Sequence, residues 1–194
     1  SKMKNKTVWA NRLKGKTSLS FQKIGSSISA DKRLYEQDIA ASIVHTKMLV
    51  KQKIIGKKEG SKIINGLKKI KSQIDKGKFK FQEKFEDIHL NIEKKLFGLI
   101  GPSAGFLHTA RSRNDQVVTD FKLWIKKSSK ETIANINSLM KILIKKAEKN
   151  VDTVMPGLTH LKNAQPISFA HYLLSYFEML KSCLLYTSDA ADDP

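Results

Sequence analysis

The sequence predicts an all-α fold in which a small helical amino-terminal domain precedes the start of a long-helix bundle. Apolar residues recur at helical spacing along most of the chain, glycine and proline fall between these segments, and no segment alternates convincingly as a β-strand does. We therefore expect an amino-terminal domain over residues 1–105 and the first part of a bundle domain over residues 106–182.

Three helices are predicted in the amino-terminal domain. The first follows a Gly-Ser-Ser turn and is expected to be capped by Asp31, and the second ends before Gly77, a typical stop signal. The third is shorter. Their apolar positions are Leu34, Ile39, Ile43, Val44 and Met48 in the first, Ile63, Ile64, Leu67, Ile70 and Ile74 in the second, and Phe85, Ile88, Ile92 and Leu96 in the third.

Glycines and a proline between Gly98 and Gly105 predict a loop or domain junction, and a much longer helical segment follows it. No glycine or proline occurs from Arg111 to Asn150, so this span predicts one helix on the order of 58 Å long, at ~1.5 Å per residue. A rod of that length suits an elongated bundle. After a break at Met155-Pro156-Gly157, Ser168 is expected to cap a final helix.

The composition is that of a folded protein with a strong positive charge. Lys+Arg number 36 against 18 Asp+Glu, which gives a formal charge of +18. Such a charge suits a nucleic-acid partner, but the lysines are spread along helical segments and are typical of solvated faces. A basic helical protein that binds nucleic acid is therefore the less favoured alternative, and we expect no nucleic-acid partner.

Neither a membrane partner nor a disulfide is predicted. No stretch approaches the ~20 apolar residues that span a bilayer, and the first residues lead into no apolar signal core, so a cytoplasmic location is expected. The chain contains one cysteine, which excludes an intrachain disulfide.

The first polar cluster, Thr109 to Gln116, lies where the long helix begins. Two arginines, an amide and a hydroxyl meet the backbone N–H groups and the positive dipole end of a helix, which indicates a carboxylate-binding site. A helix start stabilised by ordinary salt bridges explains the same residues equally well on physical grounds.

The second polar cluster lies in the segment from Pro156 to Pro166, which is expected to be an irregular loop between two helices. His160 there adjoins Thr159, and a histidine so placed can exchange protons with a substrate near neutral pH. A lone histidine is more often structural, so the neighbouring hydroxyl and amides carry the functional interpretation.

A third cluster, Glu86 to His89, opens a predicted helix. Favourable charge at the helix start explains the two acids, whereas His89 lies beside the apolar stripe and is able to face a site. The five histidines show no paired spacing typical of a metal centre, so we expect no metal.

The last twelve residues, 183–194, abandon the lysine-rich usage of the rest of the chain. Their start, Cys-Leu-Leu-Tyr-Thr-Ser, resembles the translation of a sequencing adapter, so we expect a non-native tail and a natural protein that continues past Lys181.

Together these motifs resemble the argininosuccinate lyase family of the fumarase/aspartase superfamily. The run Arg-Ser-Arg-Asn-Asp-Gln is the specific one, since sibling families carry other residues there. The motifs occur in the family's order: Trp9 with Arg12, Ser26-Ser27-Ile28 with Asp31, Glu36 to Ile39, Glu86 to His89, Leu107 to Gln116, Gly157 to His160, and Ala164-Gln165-Pro166.

The resemblance implies cleavage of argininosuccinate to arginine and fumarate by β-elimination, without a cofactor, in a homotetramer whose active sites each draw residues from three subunits. It also implies roles for particular residues. Ser27, Asn114 and Thr159 bind substrate, Arg113 holds a carboxylate and His160 belongs to the acid/base pair. His89 is a weaker candidate for substrate binding.

Several positions depart from the family pattern. Ala10-Asn11 replaces two glycines, Thr7 replaces a lysine of some members, and Lys162-Asn163 replaces a Gln-Arg pair. The family's Gly-Ser-Ser-x-Met-Pro loop, which supplies the catalytic serine, does not occur in the 194 residues. We therefore expect the chain alone to be inactive, and a non-catalytic structural relative of the same fold is the main alternative.

Overall fold

The computed structural model describes the backbone of residues 25–192 and the side chains of residues 25–186. This range contains helices and one two-stranded antiparallel sheet: α1 (Ile28–Asp31), α2 (Tyr35–Lys51), α3 (Lys57–Asp75), α4 (Ile88–Ile100), α5 (Arg113–Glu148), β1 (Val154–Thr159), β2 (Lys162–Ser168) and α6 (Phe169–Asp192). The chain divides into two compact units, residues 1–124 and 125–194, which are described separately.

The core of the first unit forms where α3 packs against α2 and α4. A 3₁₀ run, Gly101–His108, packs against α4 and α3 and adds Leu107 to the core. The apolar stripes predicted for the second and third helices are confirmed, since their central members are buried: Ile63, Leu67, Ile70, Ile88, Ile92 and Leu96.

The predicted start of the first helix is wrong. Asp31 ends the short α1, a 3₁₀ turn at Lys32–Leu34 follows, and α2 begins only at Tyr35. The Asp31 carboxylate instead accepts hydrogen bonds from Ser27 Oγ at 2.6 Å and from Ile88 N at 3.3 Å. Asp31 therefore ties α1 to the start of α4 rather than capping α2.

Part of the apolar stripe predicted for α2 is also wrong. Val44 is 65% exposed and Met48 is 39% exposed. The buried side of α2 carries three polar residues at four-residue spacing instead: Asp38, Ser42 and Thr46. A polar stripe therefore lies inside the first unit, next to Ile39 and Leu49.

The glycine-rich segment after Gly98 is helical, so the predicted loop is wrong. Gly98 lies inside α4, and Gly101, with φ +67°, ends that helix. Pro102 then stands in the first turn of the 3₁₀ run, where a missing N–H costs no hydrogen bond. The predicted domain junction near residue 105 stays a prediction.

The long helix is confirmed: α5 has 36 residues, which corresponds to about 54 Å at 1.5 Å per residue. In this described part of the chain, none of the helices is long and apolar enough to cross a membrane.

The segment predicted to be an irregular loop after α5 is a β-hairpin, so the expectation that no strand occurs is wrong. β1 and β2 pair antiparallel, with Pro156 opposite Pro166. In a two-stranded sheet both strands are edge strands, where proline is tolerated, and this explains why proline was a misleading signal.

The predicted cap of the last helix is confirmed, since Ser168 Oγ accepts a hydrogen bond from His171 N at 3.0 Å. The helix α6 runs on to Asp192, and the non-native origin of residues 183–194 stays a prediction.

Two helix-interior glycines provide a matched test of this packing. A Cβ on Gly66 would lie 2.5 Å from Leu96 Cδ1 and 3.3 Å from Ile100 Cγ2, whereas a Cβ on Gly98 would meet nothing within 4 Å. We expect Gly98→Ala to raise the free energy of unfolding by about 0.5–1 kcal/mol, because alanine is the better helix former.

Gly66→Ala gains the same helix propensity but overpacks the core, which typically costs roughly 1–3 kcal/mol, so a net loss of about 1 kcal/mol is expected. Urea denaturation followed by circular dichroism measures both changes. Equal stabilisation by the two substitutions would contradict the close packing of α3 against α4.

Candidate active site

The start of α4 is the point where several predicted site residues meet in the first unit. The backbone N–H of Ser27 donates to Glu86 O at 2.9 Å, and its hydroxyl donates to Asp31. Asp87 caps α4 by accepting from Leu90 N at 2.6 Å. Ser27 is exposed, so its hydroxyl is accessible beside the Glu86–His89 segment.

Arg113 and Asn114 occupy the first turn of α5, as predicted. Ser112 caps this turn, since its Oγ accepts from Asn114 N at 3.2 Å. The Arg113 guanidinium is half-buried, with Nη2 3.0 Å from Glu93 Oε1 and Nε 3.9 Å from Asp87 Oδ2. The structure therefore brings Ser27 and Arg113 to the same acidic helix start, and the exposed Asn114 adjoins Arg113.

Thr159 and His160 lie in the second unit, at the tip of the hairpin. Thr159 pairs with Lys162, so His160 and Leu161 form a two-residue turn, and both have positive φ, at 50° and 63°. Such a turn normally contains asparagine or glycine, and larger residues there are strained. His160 is exposed and lies on this hairpin turn instead of in the irregular loop that was predicted.

His89 lies inside the first unit and not on its surface, being 2% exposed. Its Nδ1 lies 3.0 Å from Asp38 Oδ1 and 3.5 Å from Asp120 Oδ2. Since Asp38 is a carboxylate acceptor, Nδ1 carries the proton of this hydrogen bond. The three side chains come from α4, α2 and α5, so this buried cluster joins three helices.

The electrostatics of the cluster distribute charge unevenly between its two acids. Burial acts to raise the pKa of Asp38, but hydrogen bonds from His89 and Gln116 outweigh it and hold that pKa below the usual range. Burial and the negative charge of Asp38 raise the pKa of Asp120 to about 8. Asp38 is therefore the ionised member at neutral pH and Asp120 largely retains its proton.

The surroundings of His89 favour its cationic form. Burial acts to lower the pKa of His89, but the hydrogen bond to Asp38 and the charge of Asp38 outweigh it and raise that pKa. Both oxygens of Asp120 are buried without a hydrogen-bond partner among the described residues, which is consistent with an acid that stays neutral beside the ionised Asp38.

The same three side chains offer ligand atoms within 4.8 Å of one another, a spacing that a metal ion can use. The Arg111 guanidinium, however, interacts electrostatically with both acids and would oppose a divalent cation there. The geometry fits a proton-sharing cluster better than a metal centre, and the expectation of no metal stays a prediction.

Three residues of this site were not assigned a role from the sequence: Asp38, Gln116 and Asp120. Each is at most 3% exposed. A usable signal does exist, since Gln116 and Asp120 stand four residues apart on α5, as Asp38 and Ser42 do on α2, and so share a helical face.

The raised pKa of Asp120 predicts a pH-dependent stability. From about pH 4 to pH 8 the folded chain retains a proton on Asp120 that the unfolded chain releases, so this group's stabilising contribution falls as pH rises. Asp120→Asn mimics the protonated acid and should match the unchanged chain near pH 4. It should become progressively more stable than the unchanged chain towards pH 8, by up to about 1.4 kcal/mol per pH unit.

Urea denaturation from pH 4 to pH 9 measures the difference between the two chains. Asp115→Asn, at an exposed acid of the same helix, controls for the loss of one negative charge. A difference between Asp120→Asn and the unchanged chain that does not vary with pH would contradict a protonated Asp120.

The chain is similar in sequence to argininosuccinate lyases. It is 55% identical over 175 residues to the argininosuccinate lyase of Pelagibacter ubique, a match that covers 90% of this chain and 38% of the relative. It is 54% identical over 179 residues to that of Ehrlichia chaffeensis, with 92% of this chain and 38% of the relative covered. The chain thus spans 38% of the length of these curated relatives.

Solved structures agree with this similarity. An EDDS lyase variant with bound fumarate aligns with a TM-score of 0.64 at 27% identity, covering 86% of this chain and 33% of that one. A fumarate lyase from Mesorhizobium aligns with a TM-score of 0.60 at 19% identity, covering 88% and 40%, and supports the fold alone. The model of the family described as Lyase matches residues 11–187, and the chain therefore belongs to the Lyase family.

Proposed function

We propose that the chain is the amino-terminal portion of an argininosuccinate lyase, which cleaves argininosuccinate reversibly to arginine and fumarate. The observation that carries this proposal is the identity of more than half of the aligned residues with argininosuccinate lyases. The similarity covers about nine-tenths of the chain.

The proposed reaction is a β-elimination that needs no cofactor. A base removes a proton from the carbon beside a carboxylate, which leaves a carbanion delocalised into that carboxylate. The carbon–nitrogen bond to the guanidinium group then breaks, and an acid protonates the departing nitrogen. Because negative charge develops on the carboxylate, donors fixed around it supply most of the stabilisation.

The first turn of α5 supplies such donors in this proposal. Arg113 uses its two Nη nitrogens for Gln116 and Glu93, and each Nη carries a second N–H. Asn114 is exposed at the same helix start, where the helix dipole favours an anion. Arg113 then holds a substrate carboxylate and Asn114 binds substrate.

Ser27 and Thr159 are the proposed hydroxyl contacts to substrate, and both are exposed. His89 is the weaker candidate for substrate binding, because it is 2% exposed and its Nδ1 is engaged by Asp38.

His160 is the proposed member of the acid/base pair. Its exposed ring stands on a turn whose two residues have positive φ, a conformation that costs energy and is typical of functional sites. The turn is closed by the pairing of Thr159 with Lys162, which restrains the backbone of His160, and proton transfer over hydrogen-bond distance requires such placement.

The properties of the whole protein belong to the same proposal. We propose a cytoplasmic homotetramer that acts on a small-molecule substrate. The chain spans 38% of the length of its relatives, and we propose that residues corresponding to the remainder complete the active site. The chain alone is then inactive. A non-catalytic relative with the same fold is the second candidate.

A chimera tests the proposal on this chain's own residues. Residues 11–181 are joined to the remaining carboxyl-terminal part of the Pelagibacter ubique relative, and fumarate formation from argininosuccinate is followed by its ultraviolet absorbance. We expect activity from the chimera and none from the 194-residue chain.

Within the active chimera, His160→Asn should lower kcat by about 10²-fold or more, the usual loss of a general acid or base. His171→Asn, at an exposed histidine on α6, is the matched control and should retain activity. A chimera that assembles as a tetramer yet releases no fumarate would favour the non-catalytic relative.

A further inference from the structure

A continuous run of side-chain hydrogen bonds leads from Arg113 into the interior of the first unit. Arg113 Nη1 donates to Gln116 Oε1 at 2.8 Å, and Gln116 Nε2 donates to Asp38 Oδ1 at 2.5 Å. His89 Nδ1 donates to the same Asp38 oxygen at 3.0 Å. Gln116 is 3% exposed and Asp38 1% exposed, so water does not compete for the two bonds to Asp38, whereas the bond from Arg113 is partly buried.

The direction of this run is fixed by the chemistry of its ends. A guanidinium only donates and a carboxylate only accepts, so the Gln116 amide must turn its oxygen to Arg113 and its nitrogen to Asp38. A carboxamide satisfies both ends at once. Glutamate at this position would face Asp38 with a second carboxylate, and an aliphatic residue would remove one hydrogen bond from Arg113 and one from Asp38.

We infer that Asp38 is a positioning residue for Arg113, acting through the side-chain amide of Gln116. The inference rests on the proposed function in one respect, namely that Arg113 holds the substrate carboxylate. Asp38 itself lies behind Gln116 and touches no substrate.

Arg113 requires this support because its other partners hold it loosely. Glu93 and Asp87 are partly exposed, with side-chain accessibilities of 26% each, and ion pairs at such sites contribute little and tolerate many geometries. A buried amide that accepts from Nη1 fixes the plane of the guanidinium instead. The guanidinium is then oriented before a carboxylate arrives, so Arg113 loses less conformational freedom on binding.

Asp38 is in turn held by groups from two other helices. His89 of α4 donates to it, and Asp120 of α5 lies beside it, with Oδ2 3.5 Å from the same His89 nitrogen. Ser42, one turn along α2, accepts from Arg111 Nη1 at 3.1 Å and so ties the same face to the segment before α5. Contacts other than the one to Gln116 therefore hold Asp38 in place.

The first arm of the test measures the mobility of Arg113 in the 194-residue chain. Nitrogen-15 NMR of the arginine Nε–Hε groups reports how fast the guanidinium rotates about its Nε–Cζ bond. We expect Gln116→Leu and Asp38→Ala to speed this rotation several-fold for Arg113 and to leave Arg33, an exposed arginine before α2, unchanged. Asp38→Asn should restore slow rotation, because asparagine keeps an oxygen for Gln116 and His89.

The second arm uses the active chimera. Gln116→Leu should raise KM on the order of tenfold with a smaller change in kcat. The reason is that a mobile Arg113 guanidinium weakens carboxylate binding more than it slows proton transfer. Asp38→Asn should rescue most of the KM defect of Asp38→Ala, which a merely space-filling role for Asp38 would not predict.

The two arms separate the failure of this inference from the failure of the proposed function. Arg113 rotation that is unchanged by both Gln116→Leu and Asp38→Ala overturns the inference, whatever the chimera does. Faster rotation in the 194-residue variants, together with a tetrameric chimera that has no activity, supports the positioning of Arg113 and overturns the lyase proposal. Should Asp38→Ala fail to fold, Gln116→Leu, which leaves Asp38 its bond from His89, carries the same test.

Discussion

A buried negative charge on Asp38 is the constraint around which the first unit is organised. A carboxylate that is 1% exposed is tolerated only where donors and opposite charge replace water, and His89 and Gln116 supply both. These partners lie 51 and 78 residues away along the chain, on α4 and α5. Satisfying one carboxylate therefore requires three helices to reach their final positions together, and the geometry at the start of α5 depends on it.

The sequence predicts those parts of the fold that short-range periodicity dictates. The stripe of α3, from Ile63 to Ile70, and the uninterrupted span of α5 follow from helical spacing and the absence of breakers. The hairpin of β1 and β2 escaped prediction because its strands are mostly exposed and carry proline, so no continuous apolar face marked them. The hairpin is stabilised by hydrogen bonds between its two strands, and the spacing of apolar residues within one segment does not reveal such pairing.

Local sequence likewise predicts some residues of the candidate site and misses others. Arg113, Asn114 and His160 were predicted because each stands in a dense polar cluster near an element end. Asp38 and Asp120 escaped assignment because the buried faces that carry them also carry other polar residues, Ser42 and Thr46 on α2 and Gln116 on α5, and a polar face normally predicts exposure to solvent. What identifies them is mutual contact: the acids share His89, and Asp120 keeps its proton because it is buried and lies beside the ionised Asp38.

Local charge at the candidate site differs from the charge of the whole chain, and this bears on how such a site would recognise a carboxylate. The chain has a formal charge of +18, yet Asp87 and Glu93 adjoin Arg113 while two further acids lie behind it. The dispersed lysines create a general field that salt screens within about 8 Å. Attraction by that field does not distinguish one anion from another. At a site where neighbouring acids nearly balance the positive charge, discrimination between anions must come from donors of fixed direction. A guanidinium held by a buried amide is a donor of that kind, because its direction is set before the anion arrives.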